Sequence, residues 1–192
     1  KWAEHSEEVR KELESRGRKV YLLPVGGSVP TGVLGYIAGF AEILEDSRRT
    51  GVEFGRIFLA DGSLGTHAGL LIGASLCGWP GEIVGISVAK RSADAQTELE
   101  QLCRETLDFL GEKAELGPLV VDDGYIGECY GRPTEAGREA IDIFCRREGV
   151  FLDEVYSGKA AAGMIAYIRD GRVKPDENAL FLHTGGNIEL FA

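Results

Sequence analysis

The sequence predicts an α/β protein built on a largely parallel sheet with helices on both faces, and three observations predict it. The short runs Arg56 to Ala60 and Glu82 to Val88 are apolar along their length rather than alternating, as strands buried on both sides are. Helix-length segments separate one such run from the next, which calls for crossover connections and parallel strands. Glycine-rich turns follow the runs, and in sheets of this kind ligands bind beyond the carboxyl ends of the strands.

Glu4 to Arg16 is charged and rich in strong helix formers, with Gly17 as its stop. Lys19 to Leu23 (KVYLL) reads as a short strand. Pro24 to Gly32 (PVGGSVPTG) reads as a loop that no helix crosses, because a helix interior does not tolerate Pro30. Val33 to Asp46 is then helical. The alternation continues with strand Arg56 to Ala60, helix His67 to Cys77, strand Glu82 to Val88, helix Ala93 to Leu110 and strand Leu119 to Val121. Helices Thr134 to Arg147 and Lys159 to Arg169 and a strand Ala179 to His183 complete it. No repeat, linker or low-complexity tract interrupts the series.

A chain of 192 residues, 44% of them hydrophobic, supports one core of ordinary size. The formal charge of −10 repels a nucleic-acid backbone or an anionic membrane, so a small-molecule partner fits better. Cys77, Cys103, Cys129 and Cys145 lack metal-binding or redox spacing, and no metal site is expected. No apolar run reaches bilayer length and no leader opens the chain, which places it in the cytoplasm. The chain opens on Lys1 and its only methionine is Met164, so its genetic start is expected upstream.

Between the strand ending at Ala60 and the helix that follows lies a loop of Gly62, Ser63, Leu64, Gly65 and Thr66. Glycines let backbone amides crowd around an anion, and a helix N-terminus adds free N–H groups and a favourable dipole. Ser63 and Thr66 add hydroxyls; a tight turn capped by Thr66 would use the same residues. The loop lacks the lysine of G-x-x-x-x-G-K-[ST] and fails G-x-G-x-x-G at Leu64, and no acidic residue closes strand Ile83 to Val88 to hold a ribose, so a dinucleotide site is not expected.

Three further segments carry reactive side chains. VYSGKAAAG, Val155 to Gly163, offers Tyr156, Ser157 and Lys159 at a helix start, where Ser157 could simply cap and Lys159 be solvated. DDGYIGECYGRPT, Asp122 to Thr134, puts Tyr125 and Tyr130 in a loop; Asp122 and Asp123 point opposite ways on an extended chain and read as turn residues. LHTGGNIELFA, Leu182 to Ala192, ends a buried strand with His183 and Thr184, for which a satisfied structural role is the plainer reading.

These segments, with PVGGSVPTGVLGY at Pro24 to Tyr36, resemble in order the D-cysteine desulfhydrase and 1-aminocyclopropane-1-carboxylate deaminase family of pyridoxal-phosphate enzymes, over nearly the whole chain. The resemblance implies the tryptophan synthase β-like fold (fold type II), with residues 1–192 as the cofactor-binding portion of the large domain. It implies pyridoxal 5'-phosphate as cofactor, its phosphate held by Gly62, Ser63, Leu64, Gly65 and Thr66. Tyr156 matches the family's active-site tyrosine and Tyr130 a second one that faces the substrate. Two positions depart from the family. Asp61 stands where Thr or Ser is usual, and Leu64 where Gly or Ala is usual; a carboxylate beside a phosphate dianion weakens binding.

The deaminase branch carries Glu at the position of Ser157 and the desulfhydrase-like branch Ser or Thr. The resemblance therefore leans to β-elimination from a small amino acid with a β leaving group, such as D-cysteine going to pyruvate, sulfide and ammonia. A neutral hydroxyl, Ser157 or Thr184, facing the pyridine nitrogen makes a milder electron sink, which suffices when the leaving group is good. 1-Aminocyclopropane-1-carboxylate deamination, L-cysteate sulfo-lyase activity and a non-catalytic ligand-binding module of the same fold remain alternatives, as does an unrelated enzyme using Asp122 and Asp123 as an acid pair.

The family's cofactor-bearing lysine, which also removes the α-proton, lies in an N-terminal segment absent here, and Lys159 matches only the lysine following the active-site tyrosine. The chain alone is thus expected not to turn over substrate. The same absence implies an uncovered sheet edge and apolar surface, and hence a homodimer or a chain supplying the N-terminal part.

Overall fold

Strands that are apolar on every side chain need two covering layers, and the fold provides both. The computed structural model describes residues 2–186. After helix α1 (Trp2–Ser15) and a 3-10 turn (Val25–Gly27), the elements run α2 (Pro30–Thr50), β1 (Arg56–Asp61), α3 (Gly65–Leu76), β2 (Glu82–Ser87) and α4 (Ser92–Leu110). There follow β3 (Val120–Asp122), α5 (Glu135–Glu148), α6 (Ser157–Arg169) and β4 (Ala179–Leu182). The four strands pair in parallel in the order β3-β2-β1-β4, with Phe58 of β1 opposite Val84 on one side and Phe181 on the other.

Alternate side chains of β1 enter different cores. Ile57 and Leu59 pack with Phe40 of α2, Leu70 and Ile72 of α3 and Leu99 of α4. Phe58 and Ala60 pack on the opposite face with Ala160 and Tyr167 of α6, the Phe58 and Tyr167 rings meeting edge to face at 5.2 Å. Helix α5 closes that layer through Phe144, 5.3 Å from Phe181. The expected α/β class and parallel sheet are therefore what the chain adopts.

Because β2 and β4 flank β1 on opposite sides, the chain reverses direction across the sheet at β1. A crevice opens at such a switch point, beyond the carboxyl ends of β1 and β4. Helix α2 lies close over α3 there: a Cβ on Gly69 would fall 2.4 Å from Tyr36 Cβ.

Two sequence expectations are corrected. Lys19 to Leu23 is not a strand; it is irregular, with Tyr21 at 75% and Leu23 at 68% exposure. Its residues have high strand propensity, but propensity counts only where a neighbouring strand and a packed face exist. Pro30 does not keep the loop going to Gly32 but starts α2 at its first position, where a proline's missing N–H and fixed φ are harmless. That helix also runs beyond Asp46, to Thr50.

Candidate functional site

The chain leaves the carboxyl end of β1 through Gly62, Ser63 and Leu64 and enters α3 at Gly65. Among the described residues, no group engages the backbone N–H of Gly62, Ser63, Leu64, Gly65 or Thr66. Unbonded amides at the head of a helix form a cup suited to an anion. Leu64 has φ 69°, the one non-glycine residue with positive φ among the described residues, and its side chain is buried. For an L residue with a branched side chain that conformation is strained by about 1–2 kcal/mol.

Two walls close on the cup. Ser28 borders it on one side: a Cβ on Gly65 would sit 2.9 Å from Ser28 Oγ, a buried hydroxyl with no hydrogen-bond partner. Tyr156 borders it on the other: a Cβ on Gly62 would sit 3.2 Å from Tyr156 Cε2. The Tyr156 hydroxyl donates to the Ala60 carbonyl at 3.1 Å. Burial pushes that phenol above its ordinary pKa, Thr184 opposes the shift, and the Asp61, Tyr36 and Tyr130 side chains reinforce it. Thr184 thus adjoins Tyr156, yet its Oγ1 is buried without a hydrogen bond of satisfactory geometry.

A cavity of about 650 Å³ lies over the cup, lined by Gly62, Ser63, Leu64, Ser28, Tyr130 and Tyr156. Glu98 and Glu105 of α4 line its far side, with Glu98 paired to Lys90. Tyr130 is 60% exposed at this mouth. Gly65 and Thr66 stand at the head of α3, and Gly65, Thr66, Ser157 and Thr184 are not among the residues that line the cavity.

Ser157 is withdrawn from solvent and committed elsewhere. Its Oγ donates to Asp153 Oδ1 at 2.6 Å and accepts from the Asp153 amide at 3.0 Å. Asp153 also accepts from the amides of Val155 (2.8 Å), Tyr156 (2.7 Å) and Ser157 (2.7 Å). Asp153, not Ser157, therefore satisfies the amides leading into α6 and fixes the backbone that carries Tyr156, the N-cap residue, whose own side chain makes no capping bond. Asp153 lies four residues before Ser157, outside the position where a helix-start signal is read, so the sequence pointed to the serine instead. Ser28 left no such signal, since only the folded chain brings it to the cup.

Lys159 is not solvated. It is fully buried, with Nζ donating to the carbonyls of Ile126 (2.7 Å) and Cys129 (3.2 Å), and burial lowers its pKa. It pins the loop that presents Tyr130. Asp122 accepts from the Gly124 amide at 2.9 Å and Asp123 from the Ser92 amide at 3.1 Å, so both serve local turns and helix starts. His183 Nε2 meets the Phe151 carbonyl at 3.1 Å. The segment after Gly186 lies outside the described residues. Among the described residues no helix is long and apolar enough to cross a membrane, and no cluster of His, Cys, Asp and Glu could hold a metal ion.

Residues 2–185 match the family described as pyridoxal-phosphate dependent enzyme. The chain is 42% identical over 180 residues to a D-cysteine desulfhydrase from Serratia proteamaculans, covering 94% of this chain and 54% of that protein. It is 40% identical over 182 residues to a putative 1-aminocyclopropane-1-carboxylate deaminase from Pyrococcus furiosus, covering 95% and 54%. The crystal structure of an ACC deaminase homologue superposes with a TM-score of 0.87 at 38% identity, over 96% of this chain and 55% of that one. The crystal structure of a T.th. threonine deaminase matches with a TM-score of 0.52 at 18% identity, over 80% and 58%, a likeness of fold. The chain spans about half the length of the curated relatives it matches.

Proposed function

The chain belongs to the pyridoxal-phosphate dependent enzymes, and from that membership we propose that it forms the cofactor-binding portion of a D-cysteine desulfhydrase-like lyase, acting on a small amino acid with a β leaving group. The observation that carries the reading is the row of unengaged amides from Gly62 to Thr66 with the Tyr156 ring against Gly62. This donor set fits a phosphate monoester: amides and the Ser63 and Thr66 hydroxyls on the loop, with the orphaned Ser28 hydroxyl beside it. Pyridoxal phosphate held there supplies an electron sink for the α-carbon of an amino acid.

The chain's own residues hold, orient and exclude water. The cup anchors the phosphate. Tyr156, oriented by the Ala60 carbonyl and kept protonated by burial, holds a proton beside it. Lys159 steadies the loop on which Tyr130 stands over the mouth. Of the two hydroxyls considered for the pyridine nitrogen, Ser157 gives its proton to Asp153, whereas Thr184 is uncommitted. We assign that contact to Thr184. A neutral partner there favours expulsion of a good leaving group over opening of a cyclopropane ring. Deamination of 1-aminocyclopropane-1-carboxylate is the second reading, favoured by the likeness to the ACC deaminase homologue. Lys159, engaged by two carbonyls, is not assigned as the base for the α-proton.

Titration of the chain with pyridoxal phosphate, with inorganic phosphate as competitor, tests the reading. Ser63→Ala combined with Thr66→Val is expected to weaken both ligands by about tenfold or more, as two hydrogen bonds to a charged oxygen are lost. Unchanged affinity in that variant would refute the cup.

A further inference from the structure

Asp61 and His67 bracket the cup in the chain, one at the end of β1 and the other in the first turn of α3. Both are sealed from solvent, at 2% and 0% exposure. Asp61 Oδ2 lies 2.7 Å from His67 Nδ1, while Asp61 Oδ1 and His67 Nε2 are buried with no partner. The neighbouring strand is hollowed to admit the pair: a Cβ on Gly85 would fall 1.8 Å from Oδ2 and 2.5 Å from Nδ1. The Asp61 charge also reaches Tyr156, where it favours the protonated phenol. Its field therefore extends to the cavity wall.

An unpaired carboxylate at this place opposes an anion in the cup, and burial removes the water that would screen it. A carboxylate bonded to His67 and directed back toward Gly85, the partner of Leu59 two rungs before Asp61, is held away from the cup at the end of β1. We propose that His67 is a positioning residue for the cup: it holds the Asp61 carboxylate inside the fold and against β2 at Gly85, so that the amides of residues 62–66 meet phosphate with the carboxylate turned away from them. The proposal rests on the cup being a phosphate site.

Calorimetric titration of the full chain with inorganic phosphate separates the two ideas. His67→Gln is expected to weaken phosphate by about tenfold, because the carboxylate is released. Asp61→Asn should leave affinity within about twofold, and the double variant should return to the Asp61→Asn value. No loss in His67→Gln, or an equal loss in the double variant, overturns the proposal. So does a tenfold gain in Asp61→Asn, which shows that the native carboxylate already opposes the anion; this arm decides the matter even where His67→Gln fails to fold. Phosphate binding absent from the native chain but gained in Asp61→Asn overturns the proposal and keeps the cup. Binding absent from both removes the cup, and the proposal with it.

Discussion

Replacing Asp153 by alanine removes the acceptor for the amides leading into α6 and the anchor of Tyr156 together. The carboxylate accepts from three amides and the Ser157 hydroxyl at 2.6–2.8 Å, at 1% exposure. Each hydrogen bond to a charged group contributes about 1.5–3 kcal/mol, although water recovers part of this once the site opens. Rehydration brings the net cost of Asp153→Ala well below the four bonds added together, to about 3–5 kcal/mol, a large share of the ~5–15 kcal/mol that holds a domain folded. Asp153→Asn retains one acceptor oxygen and should cost about 1–3 kcal/mol. Urea denaturation followed by circular dichroism measures both, and an unchanged slope shows that only stability moved. A loss below about 1 kcal/mol for alanine, or equal losses for alanine and asparagine, would refute the assignment of Asp153 as the anchor of these amides.

Lys159→Met keeps the side-chain volume but frees the carbonyls of Ile126 and Cys129; a destabilisation of about 1–3 kcal/mol is expected, with faster amide exchange confined to the loop bearing Tyr130. Burial raises the phenols of Tyr156 and Tyr167, the latter to about 12. The folded state therefore keeps protons that the unfolded chain releases near pH 10, so this stability is present below about pH 10 and is lost as pH rises through the folded values, by at most about 1.4 kcal/mol per pH unit for each phenol. Urea titrations between neutral and strongly basic pH follow the decline, and Tyr167→Phe should flatten it. Leu64→Gly relieves about 1–2 kcal/mol of left-handed strain but deletes a buried side chain worth about 2–5 kcal/mol, so thermal denaturation should show a net loss.

The central strands were legible because burial on both faces leaves an unmistakable apolar run, as in Ile57 to Ala60. KVYLL carries a similar local signal and is not a strand, because pairing is a property of neighbours that a local stretch does not contain. In the site, the glycine turn after β1 was readable from composition and place. The burial of Lys159 was not: a lysine at a helix start is ordinarily solvated, and only the fold brings two carbonyls to its ammonium. Leu64 went further against local rules, since its identity argues against the left-handed conformation it adopts. The pairing of Asp61 with His67 spans one turn of sequence, yet its enclosure depends on Gly85 in another strand.

The hydrogen-bonded rungs joining β1 to β4 set the gauge of the pocket. Arg56 lies opposite Ala179 and Leu59 opposite Leu182, so Gly62 and Thr184 each leave their strand a fixed number of rungs beyond a shared origin. Sliding β4 by two residues, the smallest step that keeps its inward side chains inward, carries Thr184 about 7 Å along the sheet. Extra length in the excursion between α4 and β4 leaves that spacing alone, whereas one residue lost within Ala179–Leu182 resets it.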